Sequence, residues 1–287
     1  MTYTQWFNVY MQLYKRKLAE KTRESYARLQ EIISPILGDM QLEAISPDDV
    51  QAAIVAAEIQ AGSRQAQLVY TLLHAVFRRA VRSKHLRENP VDAIDKPEHI
   101  GQEGRSLEGD DWIALEPIIS TNAAYALMCF AGLRRGETLA LRRADIDLCA
   151  GIIHVSRQRI RVKGVLQITT PKSSAGVRDI PIAPELRPIL DQATRFLLPN
   201  ALIVPIAPET LAHRWKKDQQ KAGIRQTYRL HDLRHTYATR LVLAGVNLRV
   251  LQYTIGHADY QLTVKTYTHI GASAAKSELS RVYAALH

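Results

Sequence analysis

Tyr-Arg-Leu-His-Asp-Leu-Arg-His, residues 228–235, places two histidines and two arginines within eight positions. On a helix His231 and Arg234 share one face, with Cβ atoms about 5–6 Å apart. A guanidinium fork beside an imidazole suits a reaction at phosphate. The fork grips the anion at two points, and the imidazole moves protons near neutral pH. The plain alternative is a solvated basic helix face, and the stretch alone does not choose between them. The rest of the chain must decide what meets it.

The 287 residues are enough for one large domain or two of ordinary size. A content of 46% hydrophobic and 23% charged residues is that of a globular protein. Lys and Arg number 38 against 28 Asp and Glu, a net charge of +10 that favours a polyanionic partner. Nucleic acid is the simplest one, although ribosome-associated and membrane-surface proteins share such a balance. Cys129 and Cys149 form no CxxC pair, which speaks against a disulfide framework or a zinc site and fits a reducing cytoplasm. The N-terminus has no basic-then-apolar signal pattern. The longest uncharged apolar run, Ala123 to Leu133, has eleven residues, too short to span a bilayer. A soluble, cytoplasmic protein without a membrane partner is expected.

Residues 2–97 read as helical throughout. Trp6, Val9, Tyr10, Leu13 and Tyr14 fall on one helical face, and Thr22 is placed to cap a second helix that stops near Pro35 and Gly38. Ser46-Pro47-Asp48-Asp49 is a strong helix start: a capping hydroxyl, proline at the first position and acids in the first turn. Ser63 opens a longer helix with an apolar face through Leu68, Leu72, Leu73, Val76, Phe77 and Ala80. Its other face carries Arg64, Arg78, Arg79, Arg82 and Lys84 without matching acids, which suggests contact with a nucleic-acid backbone over an ordinary wet face. The polar, Pro- and Gly-containing stretch near residue 100 has the composition of a linker. The expected division is residues 1–97, a linker at 98–105 and a second domain at 106–287.

The second part begins with helices at 106–118 and 123–131, followed by the turn-and-helix stretch Ala-Gly-Leu-Arg-Arg-Gly-Glu at 131–137. After Asp147 the apolar period changes to two through Ile153, Val155, Val162, Val165, Ile168, Val177, Ile180 and Ile182, with Lys163-Gly164 as a hairpin turn. From Leu148 to Arg178 there are six Lys or Arg and no acid. A small sheet with a basic exposed face is expected, with Arg157, Arg159 and Arg161 as further candidate DNA contacts. Helices return at 208–222, 231–244 and 248–255, with a segment around 263–269 and a last helix at 272–286. The fold class is mainly α with a small antiparallel β-sheet.

Arg134, Lys172, His231, Arg234, His257 and Tyr267 each have a dull reading when taken singly. Their settings, however, resemble the tyrosine recombinases, the phage-integrase family of site-specific DNA recombinases. Ala-Gly-Leu-Arg-Arg-Gly-Glu-Thr-Leu-Ala-Leu at 131–141 resembles the first arginine box, with Arg134 as its arginine. Thr170-Pro171-Lys172 looks like the hairpin lysine, and His231-Asp232-Leu233-Arg234-His235 the His-x-x-Arg box. Ile255-Gly256-His257 is similar to the Leu-Gly-His box, with isoleucine for leucine, and Thr266-Tyr267-Thr268-His269 to the nucleophile box. The five boxes keep the family's order across 131–269.

The resemblance implies an all-helical core-binding domain, then a catalytic domain holding those six residues. It implies a clamp around double-stranded DNA with specific recombination sites, a tetramer on two such sites and no cofactor. The helix at 272–286 would dock on a neighbouring subunit, or else pack in cis. The expected role is integration or excision of a mobile element. Xer-type dimer resolution, relaxation of the type IB topoisomerase kind and a catalytically silent DNA-binding regulator are the alternatives. The chain opens directly in the helical segment rather than in an arm-binding domain, which leans toward Xer-like or arm-less recombinases.

The residues make chemical sense without the name. A phosphodiester gains negative charge as an oxygen attacks it, so fixed positive donors are needed, and Arg134 and Arg234 supply planar forks. A phenol with pKa about 10 must lose a proton to attack, and His231 is the candidate base for Tyr267. Lys172 is the candidate donor to the leaving oxygen, and His257 holds the phosphate. Tyr237, Tyr253 and Tyr260 are rival nucleophiles, passed over because Tyr267 alone has the Tyr-Thr-His setting. A metal site at His231 and His235 lacks a His-Glu-x-x-His pattern or a carboxylate cluster to complete it. His235 is read as a structural residue.

Overall fold

A computed structural model describes residues 1–101, 104–171 and 173–261. Two compact units divide the chain at residues 102 and 103.

The first unit is helical. Helix α1 (Tyr3–Val9) starts where the Thr2 side chain accepts the Gln5 N–H and the Gln5 side chain accepts the Thr2 N–H. Helices α2 (Glu20–Leu37), α3 (Pro47–Ala61) and α4 (Ser63–Arg82) follow. Ser46 and Asp49 cap α3 reciprocally, and Pro47 occupies its first turn. Helix α2 ends where expected, at Leu37 with Gly38 as its C-cap, but it starts earlier than expected. It begins at Glu20 without a side-chain cap, which leaves Thr22 inside it, and it runs through Pro35 to Leu37. Ile33 and Leu37, on either side of the proline, both lie in the core. The unit closes around Trp6, Ile33, Leu72 and Phe77, and the Trp6 indole N–H donates to the Val76 carbonyl at 3.2 Å.

The second unit is built around α6 (Ala123–Phe130), whose residues from Ala124 onward are all buried. A helix apolar on every side is a core helix, which accounts for the long apolar run. Helix α5 (Gly109–Thr121) packs on it, and α7 (Arg135–Thr138) is a single turn. The expected start of α5 at Ser106 is three residues early. The Leu107 N–H is bonded at 2.9 Å to Thr236 Oγ1, so residues 106–108 are tied to another helix and cannot open this one.

The β segments form two sheets rather than one. Strands β1 (Ile146–Asp147), β2 (Ile152–Val155) and β5 (Arg178–Pro181) pair antiparallel in the order β1-β2-β5. Strands β3 (Gln158–Val162) and β4 (Val165–Thr169) make a separate hairpin. Lys163 and Gly164 close it with φ of 48° and 78°, the two left-handed residues such a tight turn requires. Val177 lies just before β5 and is exposed. Helices α8 (Leu186–Thr194), α9 (Pro208–Lys221), α10 (Leu230–Leu243) and α11 (Leu248–Ile255) complete the described part, with α10 packed on both α6 and α11. Among the described residues no helix is long and apolar enough to cross a membrane.

Candidate active site

The site is organised by the last turn of α11. Asn247 caps its start by accepting the Arg249 N–H at 2.8 Å, and Leu251 and Ile255 anchor it in the core. Gly256 ends it in the left-handed conformation, φ 63°. A Cβ there would lie 2.8 Å from the Ala175 carbonyl oxygen and 2.9 Å from Arg178 Nη1, so backbone angle and space both call for glycine.

The last carbonyls of a helix lack intrahelical partners and carry its partial negative charge. Here three successive ones each receive a guanidinium. Arg178 Nε donates to Thr254 O at 2.7 Å, Arg234 Nη2 donates to Ile255 O, and Arg134 Nη2 donates to Gly256 O at 2.6 Å. Arg234 also donates to Gly132 O at 2.7 Å. Arg134 and Arg234, 100 positions apart in the sequence, are thereby brought to one helix end beside His257.

Glu137, on the single-turn helix α7, ties two of these arginines together. Its carboxylate accepts the Arg134 N–H at 2.8 Å and Arg134 Nη1 at 2.7 Å, and Arg178 Nη1 and Nη2 at 3.1 and 3.0 Å. The side chains of Arg178 and Glu137 are 0% and 4% exposed. Burial works against the carboxylate's charge, but the bond and charge of Arg178, with the charge of Arg134, hold its pKa below the ordinary value. Breaking such a buried pair on one side is costly.

His231 stands in the first turn of α10 with its ring 5.1 Å from that of His235, edge to face. Desolvation first, then the charges of Arg234 and His235, lower the His231 pKa to about 4, against the opposing pull of Asp232. His257 is lowered to about 4 by desolvation and then by Arg234 and Arg134. Both imidazoles are therefore neutral at pH 7 and able to accept a proton or a hydrogen bond in a field kept positive by arginine. Such a field favours a phosphate anion and a phenolate alike.

The chain belongs to the phage integrase family. Residues 115–273 match the phage integrase family itself, and residues 3–97 match the phage integrase central domain. It is a site-specific recombinase of the tyrosine recombinase type. A Mycobacterium tuberculosis protein described as a prophage phiRv2 integrase is 29% identical over 261 residues, covering 86% of this chain and 69% of that protein. The tyrosine recombinase XerC of Alcanivorax borkumensis is 26% identical and covers 95% of this chain and 90% of that one. Among solved structures, the Tn1549 transposon integrase in complex with transposon right end DNA shares the fold with a TM-score of 0.84. Its sequence is 22% identical, covering 99% of this chain and 100% of that one. The lambda integrase tetramer bound to a Holliday junction has a TM-score of 0.68 at 20% identity, covering 90% and 78%.

Four of the six recombinase residues expected from the boxes, Arg134, His231, Arg234 and His257, are described and meet around the end of α11. Lys172, Tyr267 and the helix at 272–286 lie outside the described residues. Each rival tyrosine has another engagement. Tyr237 is held by burial that raises its pKa, Tyr253 Oη accepts the Asp179 N–H at 3.2 Å, and the Tyr260 ring lies 3.9 Å from the Arg249 guanidinium.

Arg178 was missed, although one signal existed. It keeps phase with inward-facing Ile180 on β5, where an apolar residue is the rule, so a charge there needs a buried partner. The other basic residues sort into two kinds. Arg157 bonds Asp145, Arg159 donates to Ile206 O at 3.1 Å, and Arg161 bonds Glu209 through both Nε and Nη2. Arg64, Arg78, Arg82 and Lys84 are exposed on α4 or just after it, while Arg79 lies over the Tyr14 ring at 3.7 Å.

Proposed function

We propose that this recombinase cleaves and rejoins double-stranded DNA through a 3′-phosphotyrosyl link at Tyr267, in the integration or excision of a mobile element. The observation that carries the reading is the meeting of Arg134 and Arg234 on consecutive α11 carbonyls beside two neutral imidazoles. In each cleavage the Tyr267 oxygen attacks phosphorus, its proton passes to His231, and the bond to the 5′-oxygen breaks. Lys172 gives that oxygen a proton, leaving a free 5′-hydroxyl. The reverse step joins a different strand, and because the phosphoester energy is kept in the protein link, ATP is not consumed. Arg134 and Arg234 hold the non-bridging oxygens, where charge grows as the oxygen attacks, and His257 hydrogen-bonds one of them.

Four protomers acting on two DNA sites, with the helix at 272–286 reaching a neighbour, would supply the strands to exchange. The exposed basic residues of α4 would hold the duplex backbone. Likeness to a prophage integrase and to a transposon integrase supports the mobile-element role. The near full-length match to XerC supports dimer resolution as the second reading. DNA beside the coding gene separates them: attachment sites flanking an element favour the first, and a single resolution site the second.

A substrate nicked so that the 5′-end diffuses away traps the covalent stage. Wild-type protein is expected to form a protein–DNA adduct, and Tyr267→Phe to bind equally well and form none. An adduct persisting in that variant would move the nucleophile elsewhere. Binding by the wild type without any adduct would make the chain a silent regulator.

A further inference from the structure

The chain entering α5 runs along the first turns of α10, the helix that carries His231 and Arg234. The Arg105 N–H donates to Asp232 Oδ1 at 3.3 Å, and the Leu107 N–H to Thr236 Oγ1 at 2.9 Å. The Thr236 hydroxyl in turn donates to the Asp232 carbonyl at 2.8 Å. The Arg105 guanidinium reaches the carbonyls of Gln226 and Thr227 at 3.0 and 2.8 Å and lies 4.3 Å from the Tyr228 ring. Tyr228 donates to Asp111 on α5 at 2.7 Å, which closes the loop around the helix start.

Gly104 is pressed against the His235 imidazole. A Cβ at that position would fall well inside van der Waals contact with three ring atoms, so the approach is open only to glycine. His235 lies one helical turn beyond His231 and packs edge to face on it. Residues 104–107 therefore touch one side of α10 at positions 232, 235 and 236, and the contact continues through His235 to His231.

We infer that residues 104–107 are a strap that sets the position of the His231 imidazole, with His235 as the positioning residue between them. The strap costs the helix nothing in backbone bonding, because its N–H groups donate to a side-chain carboxylate and a side-chain hydroxyl. Its consequence lies in aim: a proton acceptor displaced by an ångström from its donor loses most of its effect. The inference rests on reading His231 as the base for the tyrosine. Among the described residues, the charged and titratable groups facing His231 are Arg234, His235, Asp232 and Arg229 from α10 and its entry, and His257 beyond α11.

The test is a double-mutant cycle on the full chain with two readouts: adduct formation on the nicked substrate, and histidine NMR titration of His231. Gly104→Ala is expected to slow adduct formation roughly tenfold to a hundredfold, with DNA affinity unchanged. Its His231 midpoint is expected to rise toward the ordinary histidine value as the packed ring beside it is pushed off. In a His235→Ala background the added methyl has room, and Gly104→Ala is expected to change the rate by less than about twofold. Equal losses in both backgrounds, or an unmoved His231 midpoint in Gly104→Ala, would overturn the strap. Should Gly104→Ala fail to fold, Thr236→Val withdraws the acceptor of the Leu107 N–H at nearly constant volume. The same two readouts must then move in the same directions. His231→Ala keeps the two claims apart: full cleavage in that variant, with the midpoint of the intact His231 still responding to Gly104→Ala, would remove the histidine from the chemistry and leave the strap standing.

Discussion

Arg64, Arg78 and Arg82 stand exposed on α4 of the first unit, whereas Arg178 and Arg234 of the second are buried and each is bound to a carbonyl of α11. Residue type is the same and the physics is opposite. An exposed guanidinium keeps its hydration and many rotamers, so it attracts phosphate from a distance but places it loosely, and salt screens it. A buried one has lost water and freedom in advance. It needs a carboxylate or helix-end carbonyls to be tolerated; on the proposed reading Arg234 is thereby already aimed when charge develops at the phosphorus, while Arg178 acts through Glu137 and the helix end. On the proposed function, affinity belongs to the first kind and rate to the second.

The largest effect should come from separating the buried pair. Arg178→Met leaves Glu137 as a buried charge short of a partner and is expected to destabilise the protein by about 3–5 kcal/mol, read from chemical denaturation. Adding Glu137→Leu removes the orphaned charge and is expected to recover most of that loss. Cleavage should not recover with it, because Arg134 then lacks the carboxylate that holds its backbone and its Nη1. A double variant that is both stable and fully active would reduce the pair to a packing feature and break the comparison.

Next come the arginines taken to touch phosphate. Arg234→Lys and Arg134→Lys keep the charge and lose the fork. Each is expected to lower adduct formation by about 10²–10³-fold, with DNA affinity nearly unchanged in a filter-binding or anisotropy assay. A matching loss of affinity would put these residues in the same class as those of α4.

Acid should act on the same region. His231 and His257 are held at about 4, below their ordinary value, so between about pH 6.5 and 4 the unfolded chain binds protons that the folded one refuses. Stability therefore falls as pH drops through that window. Glu137, depressed in pKa, adds a further loss only below the ordinary carboxylate range. Thermal melts at pH 7.5 and 5 are expected to show a drop that His257→Gln makes smaller. An unchanged slope in that variant would mean that the imidazole is not desolvated in the folded state.

What the sequence alone made legible was whatever depends on near neighbours in the chain. Ser46 through Asp49 announces a helix start, Lys163-Gly164 a hairpin, and an apolar run around Leu127 a core helix. The boxes carrying Arg134, His231, Arg234 and His257 were readable as separate stretches. How they meet was not, because the agent is a set of main-chain carbonyls at 254–256, and carbonyls have no letter in a sequence. Arg178 reads as one more basic residue until its register on β5 turns it inward. Gly104 reads as linker composition, and only the His235 ring beside it gives the missing side chain a reason. The late start of α5 has a related cause, since the bond from the Leu107 N–H to Thr236 overrides the local signal at Ser106.

The smallest effects are expected on α4, and they sharpen the contrast most. Arg78→Ala and Arg82→Ala remove solvated charges from a helix whose buried face is untouched, so neither should alter folding. If each neutralises one DNA phosphate, the slope of log affinity against log salt should fall by about 0.9 per residue, while the adduct rate at saturating DNA stays the same. Arg79 provides the internal control. Its guanidinium lies over the Tyr14 ring, so part of its role is packing, and Arg79→Ala should cost stability as well as salt slope. A salt slope unchanged in all three variants would show that this face is only solvated and that DNA contacts of the first unit lie elsewhere. An adduct rate that fell with Arg78→Ala at saturating DNA would mean that the exposed arginines also aim the phosphate, and the division between affinity and rate would not hold.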